Sequence, residues 1–310
     1  MSKELRAITN LKQIAREEFI APGTAVCGGC GGLEALRLAA KVLGPRTVFV
    51  NAAGCFTLLA TFPYTPFQGS WLYTTMGSAA AGAQGVRDAL DVLIARGKMS
   101  ATDDVEVVVV AGDGSTYDMG LSATSGAIFR GVNFWYFCYD NEAYGNTGMQ
   151  MSSATPYGAR TLTTPSSEHN RAGTEHGKKD LFEIWRAHRP AYLATVSPRY
   201  PVDLTNKFLK ARHLRGPKLF IAHAPCPTGW LYEPEATAEY AHLAVETGVF
   251  ALKEAVDGRV SHTYVPHRRR PVEAYLKGQG RYRHLFEPQR QEEILAHIQA
   301  EVDRYWAQWA

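Results

Sequence analysis

Two stretches of the sequence, VEVVVVAGDGSTYDMG (Val105–Gly120) and NFWYFCYDN (Asn133–Asn141), decide the fold class. The first contains a run of valines, Val107–Val110, with no polar residue on either face, as a central strand of a parallel sheet requires. Leu121–Phe129 follows with a helical pattern, and the second stretch is another buried strand. Strand, helix and strand in this order predict a βαβ unit with two parallel strands.

The rest of the chain continues this alternation of strands and helices. Thr47–Cys55 and Gly216–Cys226 each contain a short apolar run that is typical of a buried strand, and Ser78–Gly97 has the pattern of a helix. Residues 145–170 are rich in Thr, Ser, Gly and Pro without periodicity, which predicts a long loop. These features predict an α/β fold, a mostly parallel sheet with helices on both faces.

The sequence shows no internal repeat and no clear linker between domains. We therefore predict one α/β domain over residues 1–240, followed by a C-terminal extension over residues 241–310. The segment from Glu287 onwards has the pattern of an amphipathic helix. Its aromatic residues make the extension a candidate surface for contact with another subunit.

The composition excludes several classes of protein. The chain has 310 residues, of which 45% are hydrophobic and 20% charged, as in globular proteins. Its 33 Lys and Arg and 30 Asp and Glu leave a net charge of +3, too small to favour nucleic acid or an anionic membrane as a partner. No stretch approaches the roughly 18 apolar residues of a membrane helix. We expect a cytoplasmic protein whose five cysteines are reduced, ligated or catalytic.

The two strands of the βαβ unit both end in polar residues. Gly112-Asp113-Gly114 follows the first strand, and Asp140-Asn141 ends the second. Ligands of parallel α/β sheets bind at this edge, where glycines let the backbone approach a phosphate. The Asp113 carboxylate and the Asn141 amide are oxygen donors that suit Mg²⁺. The alternative is that these residues only form tight turns, but their occurrence after two buried strands favours a binding site.

Four of the five cysteines lie outside the apolar strands. CxxC at Cys27 and Cys30 fits zinc, redox chemistry or an iron–sulfur cluster. A zinc ribbon would supply a second CxxC, whereas this chain adds the single residues Cys55 and Cys226. Four thiolates suffice for a 4Fe–4S cluster. Cys138 lies inside an apolar strand and is predicted to be a core residue.

A family resemblance rests on these motifs and on several further segments. GDG followed at this distance by Asn resembles the thiamine-diphosphate signature. The segment YDNEAYGNTGMQMSSATPYGA (Tyr139–Ala159), the CxxCG start, the NAAGC turn, the APC cysteine and PVEAYLKGQGRY resemble the β subunit of 2-oxoacid:ferredoxin oxidoreductases. The resemblance covers most of the chain and implies a thiamine-diphosphate-binding fold.

The resemblance also implies roles for individual residues. Mg²⁺ is expected to bind Asp113, Asn141 and the Ala143 carbonyl, and the catalytic residues that border the reacting carbon are expected to be Asn146 and Cys55. The remaining cofactor ligands fall into two sets. The diphosphate is expected at Gly112, Asp113, Gly114, Ser115, Asn141, Asn146 and Thr147, and the 4Fe–4S cluster at Cys27, Cys30, Cys55 and Cys226.

The implied reaction is the oxidative decarboxylation of a 2-oxo acid, with electrons leaving through the cluster to ferredoxin or a related acceptor. Coenzyme A would take the acyl group, or CO₂ alone would form from oxalate. An α-type subunit is expected to complete the thiamine site with an acidic residue, alongside γ and ferredoxin-like subunits. Two alternatives remain: a non-oxidative thiamine-dependent decarboxylase or synthase, and a non-catalytic iron–sulfur scaffold for electron transfer.

Some positions depart from the pattern of pyruvate-type relatives. Gly145 stands where a bulky residue is usual, and Met151 replaces a basic residue. Tyr73, Arg160 and Leu162 also differ from the typical residues. Space at Gly145 suggests a larger or different substrate, such as phenylglyoxylate or oxalate.

Overall fold

A computed structural model of the chain describes residues 7–61 and 63–309. The described part contains eight strands and nine α-helices, some of them a single turn long. The strands are β1 (Thr47–Ala52), β2 (Ser70–Thr74), β3 (Glu106–Gly112), β4 (Trp135–Asp140), β5 (Tyr192–Val196), β6 (Lys218–His223), β7 (Leu252–Val256) and β8 (Arg259–Tyr264). The helices are α1 (Gly31–Leu43), α2 (Ala79–Ala95), α3 (Leu121–Phe129), α4 (Leu181–Ala187), α5 (Pro201–Arg212), α6 (Pro227–Trp230), α7 (Thr237–Glu246), α8 (Glu273–Leu276) and α9 (Glu292–Ala307).

All eight strands form one sheet in the order β2-β1-β3-β4-β6-β5-β7-β8. The strands from β2 to β5 in this order are parallel, and β7 and β8 add an antiparallel edge. Consecutive strands are not neighbours at three connections, β2 to β3, β4 to β5 and β6 to β7. Parallel strands need crossover connections, and most of these are long enough to hold a helix. Because parallel strands share a direction, the loops after β1, β3, β4 and β6 all emerge at one edge.

The alternating side chains of the central strands fill two layers of core. In β4, Trp135 and Phe137 belong to a cluster on one face, which also contains Phe208 of α5. Tyr136 and Cys138 belong to the cluster on the other face, with Trp185 of α4. A strand buried on both faces needs apolar residues at successive positions, and the sequence of β4 supplies them. A third cluster packs α7, α8 and α9 around Tyr275.

The predicted α/β fold is confirmed, with a mostly parallel sheet and helices on both faces. The helix predicted at Leu121–Phe129 has those bounds, and Cys138 is a core residue with 0% exposure, as expected. Strands β7 and β8 were not predicted. They lie beyond residue 240 and join the same sheet, and the division at that residue stays a prediction.

Candidate active site at the carboxyl edge of the sheet

The register of β3 and β4 brings the two polar strand ends side by side. Gly112 pairs with Tyr139 across these neighbouring parallel strands. The residues that follow, Asp113 and Asp140-Asn141, therefore leave the sheet at the same height. Asp113 is fully buried and Asn141 is almost so. The sequence motif GDG and the later Asn thus form one site because their strands are adjacent.

Three oxygen-bearing groups converge at this point. One side-chain amide atom of Asn141 lies 2.7 Å from both Asp113 Oδ1 and the Ala143 carbonyl oxygen. With nitrogen at that position, the amide donates to both oxygens. In the other orientation of the amide, Nδ2 points towards Cys55 Sγ, 3.8 Å away. The amide oxygen then faces the Asp113 and Ala143 oxygens. Three facing oxygens repel each other unless a cation lies among them, and neighbouring ligands of Mg²⁺ at about 2.1 Å are themselves about 3 Å apart. The donor set therefore fits Mg²⁺.

The buried Asp113 carboxylate has little to stabilise its charge. Burial raises its pKa well above the ordinary value, and the nearby Asp140 raises it further. Ser152 Oγ donates a hydrogen bond to Asp113 Oδ2 and also accepts one from Ala154 N at 3.2 Å. A bound cation would favour the ionised carboxylate, so the pKa of Asp113 and cation binding are linked.

A network of buried charges lies directly behind these oxygens. Lys178 Nζ pairs with Asp140 Oδ2 at 2.7 Å and with Glu142 Oε1 at 3.0 Å. Arg281 Nη2 lies 2.7 Å from Glu142 Oε2, and Tyr117 OH donates to Asp140 Oδ2 at 2.7 Å. Burial alone would raise the pKa of Glu142, but Lys178 and Arg281 outweigh it and lower the pKa to about 2. The network fixes Glu142, which lies between Asn141 and Ala143 in the chain.

The two glycines of GDG are needed for packing against tyrosines. A Cβ at Gly112 would lie 3.0 Å from the Tyr139 ring, and one at Gly114 would overlap the Tyr144 ring. Tyr144 OH also donates to the Gly114 carbonyl at 3.3 Å and to Asp118 Oδ2 at 3.1 Å. The close approach of the Tyr144 ring explains why position 114 requires glycine, which the sequence alone did not reveal.

The four cysteines predicted as cluster ligands all lie at this same edge of the sheet. Cys27 and Cys30 precede α1, Cys55 follows β1, and Cys226 follows β6. Cys226 Sγ accepts a hydrogen bond from Gly229 N at 3.3 Å. The side chain of Asn141 contacts Cys55 Sγ on one side and Asp113 on the other. The thiols and the converging oxygens are therefore parts of one continuous site.

The thiols affect one another electrostatically. Burial raises the pKa of Cys30 to about 12, and the neighbouring Cys226 and Cys27 add to the increase. Burial likewise raises the pKa of Cys55 to about 12, with contributions from Cys226 and Cys30. Within residues 7–61 and 63–309, however, no three His, Cys, Asp or Glu side chains lie close enough together to form a metal-binding group. Thiols have the chemistry that an iron–sulfur cluster needs, because each would bind a different iron atom.

The remaining predicted cofactor residues lie on the loop that follows β4 and beside β3. Asn146 and Thr147 are exposed at the tip of the turn closed by Tyr144 and Gln150, whose backbones pair at 2.9 Å. Ser115 is buried, and its hydroxyl donates to the Met76 carbonyl. The roles of Asn146, Thr147 and Ser115 towards a diphosphate stay predictions.

Position 145 requires glycine for a different reason from the one expected. A Cβ at this position would lie 2.8 Å from Asn141 Nδ2 and 3.2 Å from Cys55 Sγ. The space left by the absent side chain is therefore occupied by these two neighbours, and it does not form an opening for substrate. The argument for a larger substrate from Gly145 loses its physical basis.

Sequence reasoning missed several residues that support the site. Ser152 bonds to Asp113, and Trp230 Nε1 donates to the Asn141 carbonyl at 3.0 Å. Lys178 and Arg281 neutralise the acids behind it. A clue existed for Ser152 and Arg281, which lie within the segments Tyr139–Ala159 and PVEAYLKGQGRY that carry the family resemblance. Arg281 comes from a distant 3₁₀ turn, and no local pattern connects it with Glu142.

The described helices include none that is long and apolar enough to cross a membrane.

A comparison with protein families gives the class of this fold and site. The family described as "Thiamine pyrophosphate enzyme, C-terminal TPP binding domain" matches residues 52–222, more than half of the chain. The matched range begins at the end of β1 and ends in β6, so it includes the strands that carry Asp113 and Asn141. The fold and the site together are those of a thiamine-diphosphate enzyme.

Comparisons with individual proteins narrow the class. "Pyruvate synthase subunit PorB" of Methanothermobacter thermautotrophicus is 46% identical over 292 residues, covering 94% of this chain and 97% of its own. "Ketoisovalerate oxidoreductase subunit VorB" of Pyrococcus abyssi is 40% identical and covers 87% of this chain and 86% of its own. The solved 2-oxoglutarate:ferredoxin oxidoreductase from Magnetococcus marinus shares the fold, with a TM-score of 0.55 and 21% identity over 74% of this chain and 82% of its own. The chain belongs to the β subunits of the 2-oxoacid:ferredoxin oxidoreductases.

Proposed function

We propose that this chain carries the diphosphate, Mg²⁺ and 4Fe–4S ligands of an enzyme that converts a short aliphatic 2-oxo acid and coenzyme A into acyl-CoA and CO₂. The two electrons released pass to ferredoxin or a related acceptor. This proposal rests on one observation: oxygens of Asp113, Asn141 and Ala143 converge beside Cys55. The names of the relatives, a pyruvate synthase subunit and a ketoisovalerate oxidoreductase subunit, support a substrate of this size.

Thiamine diphosphate, when bound, supplies an electron sink for the carbanion that decarboxylation leaves behind. The chain's own contribution is placement and electrostatics. Asp113, Asn141 and the Ala143 carbonyl would hold Mg²⁺ against the diphosphate, and Ser152 would keep the Asp113 carboxylate oriented by its hydrogen bond. Gly112 to Ser115 and the Asn146-Thr147 turn would contact the diphosphate. Asn146 and Cys55 would border the reacting carbon.

The thiols of Cys27, Cys30, Cys55 and Cys226 would hold a 4Fe–4S cluster, which accepts electrons one at a time when bound. Because burial raises the pKa values of Cys30 and Cys55 to about 12, both must lose protons as they bind iron. Cys27 is exposed, in an irregular segment before α1.

Partner subunits are expected because the chain is one subunit of an oxidoreductase. We propose that an α-type subunit contacts the carboxyl edge of the sheet and supplies the acidic residue that activates the thiamine ring. A γ subunit and a ferredoxin-like subunit would complete the assembly. Phenylglyoxylate and oxalate stay predicted substrates. They rest on Met151 and the other positions that differ from pyruvate-type relatives, since the argument from Gly145 no longer supports them.

The test uses the complete assembly, purified without oxygen. Reduction of ferredoxin is measured with pyruvate, 2-oxoisovalerate, phenylglyoxylate and oxalate, each with and without coenzyme A. We expect the aliphatic acids to be preferred, with reduction dependent on coenzyme A, and about four iron atoms in this chain. Decarboxylation without reduction, in a colourless protein, would support the non-oxidative alternative. Absence of both activities in an iron-containing protein would support the electron-transfer scaffold.

A further inference from the structure

A cavity of about 360 Å³ lies on the α4 face of the sheet, behind the buried charge network. It is lined by the acids of that network, Asp140 and Glu142, and by Lys253 of β7 and Tyr305 of α9. Among the described residues that line it, none belongs to the predicted metal, diphosphate or cluster ligands. Its volume falls in the range of small-molecule sites, about 300–1,000 Å³.

Lys253 is a largely buried residue that lines this cavity. The residue is 6% exposed, and its Nζ lies 4.1 Å from the centre of the Phe182 ring and 4.9 Å from that of Tyr305. In the described part of the chain, Nζ has neither a hydrogen-bond acceptor nor an ionic partner within reach. Burial lowers the pKa of Lys253, while Asp180 and Glu183 favour its charged form. A largely buried ammonium gains from an anionic partner, and an anion bound in the cavity would supply one.

A buried polar atom without a partner lines the same cavity. His223 is 2% exposed, and its Nδ1 has no hydrogen-bond partner among residues 7–61 and 63–309. Its other nitrogen, Nε2, lies 3.4 Å from Tyr275 OH. Native structures leave few buried polar atoms unsatisfied, and such atoms commonly face an absent ligand or ordered water. Lys253 and His223 therefore give the cavity two polar contacts for an occupant.

The lining contains four acids, Asp140, Glu142, Asp180 and Glu301, and three lysines, Lys178, Lys179 and Lys253. The buried acids are paired, Asp140 with Lys178 and Glu142 with Lys178 and Arg281, and the other two acids are exposed to solvent. Lys253 is left as a largely buried lysine without an ion pair in the described part of the chain, so it is the group in the lining that suits an anion. The rest of the lining includes apolar side chains such as Val249, Phe250 and Ile298, which suit a hydrocarbon group.

We propose that this cavity binds a small organic carboxylate, with the carboxylate paired to Lys253 and the hydrocarbon body packed between Phe250 and Ile298. The polar edge of the ligand also reaches His223. This site is independent of the proposed thiamine chemistry, because it uses none of the residues assigned to that chemistry.

The test is calorimetric titration of the full 310-residue chain with hexanoate, hexanol and hexylamine, without thiamine diphosphate. We expect hexanoate to bind at least about tenfold more tightly than hexanol, and hexylamine not to bind. Lys253→Met should reduce hexanoate affinity by about tenfold or more and leave hexanol binding unchanged. Lys98→Met, at an exposed lysine, is the matched control and should behave as wild type.

Val302→Phe provides a second variant that keeps Lys253 and fills part of the cavity. It should abolish binding of both hexanoate and hexanol. No hexanoate binding to the wild-type chain, equal affinity in Lys253→Met, or undiminished binding in Val302→Phe would each overturn the proposal. None of these outcomes depends on whether the chain acts as a 2-oxoacid oxidoreductase.

Discussion

The buried ion pair between Arg281 and Glu142 can be broken by a single substitution, Arg281→Met. Arg281 is 4% exposed, its guanidinium lies 2.7 Å from Glu142 Oε2, and it stacks 3.9 Å from the centre of the Trp230 ring. Methionine keeps some of the packing against Trp230 but removes the charge. Glu142 then remains buried with Lys178 as its one cationic partner.

The expected loss of stability follows from this arrangement. Removing one partner of a buried pair destabilises a protein by about 3–5 kcal/mol, because an uncompensated charge remains. Since Lys178 still pairs with Glu142, we expect the lower end, about 3 kcal/mol. Arg290→Met is the matched control, because Arg290 forms pairs with Glu273 and Glu292 at the surface. Exposed pairs contribute little because water and salt screen them, so the control should lose much less stability than Arg281→Met.

The assay is urea unfolding of the two variants and the wild-type chain at neutral pH, followed by circular dichroism. A loss in Arg281→Met as small as that in Arg290→Met would refute the reasoning. A second variant, Glu142→Gln, tests the charge itself. Combined with Arg281→Met, it should recover part of the lost free energy of unfolding, because the carboxylate that lost its arginine is then absent.

The same pair predicts a pH dependence. The pKa of Glu142 is about 2 in the folded chain, below its ordinary value of 4.5. A carboxyl group with a lowered pKa contributes stability that is present above 4.5 and is lost as the pH falls towards 2. The wild-type chain should therefore lose this stability between pH 4.5 and 2, and Glu142→Gln should show a smaller loss across that interval.

Three further predictions concern the metal site, the core and the cluster. Ser152→Ala should weaken Mg²⁺-dependent thiamine diphosphate binding about tenfold or more, because a hydrogen bond to a carboxylate is lost; unchanged binding would contradict this role. Phe208→Ala should lower the free energy of unfolding by about 3–5 kcal/mol, while Phe129→Ala, at an 87% exposed residue, should change it by under about 0.5 kcal/mol. Cys226→Ser should reduce the iron content and Cys138→Ala should not, as elemental analysis would show.

Much of the fold could be predicted because the central strands are buried on both faces. Their continuous apolar runs, such as Val107–Val110, indicate strands without any knowledge of tertiary contacts. Strands β2 and β8 lie at the edges of the sheet, have several exposed residues and lack this signal. Their pairing depends on neighbours that are distant in sequence, and for this reason they were not predicted.

In the site, too, contacts within one local unit could be predicted, whereas contacts between segments that are distant in sequence could not. Asp113 and Asn141 could be predicted to meet, since both end neighbouring strands of one βαβ unit. The contact between Asn141 and Cys55 depends on the sheet order, which places β3 between β1 and β4. The glycine at position 145 was interpreted as space for substrate, although only the packed structure reveals that Asn141 and Cys55 occupy that space.

The central claim is that Asp113, Asn141 and the Ala143 carbonyl bind the Mg²⁺ that holds thiamine diphosphate. The most direct measurement is the affinity of the purified assembly for thiamine diphosphate as a function of Mg²⁺, in the wild type and in Asp113→Asn. We predict tight, Mg²⁺-dependent binding in the wild type, and a loss of that dependence together with at least about a tenfold lower affinity in the variant. Wild-type affinity and Mg²⁺ dependence in Asp113→Asn would contradict the account.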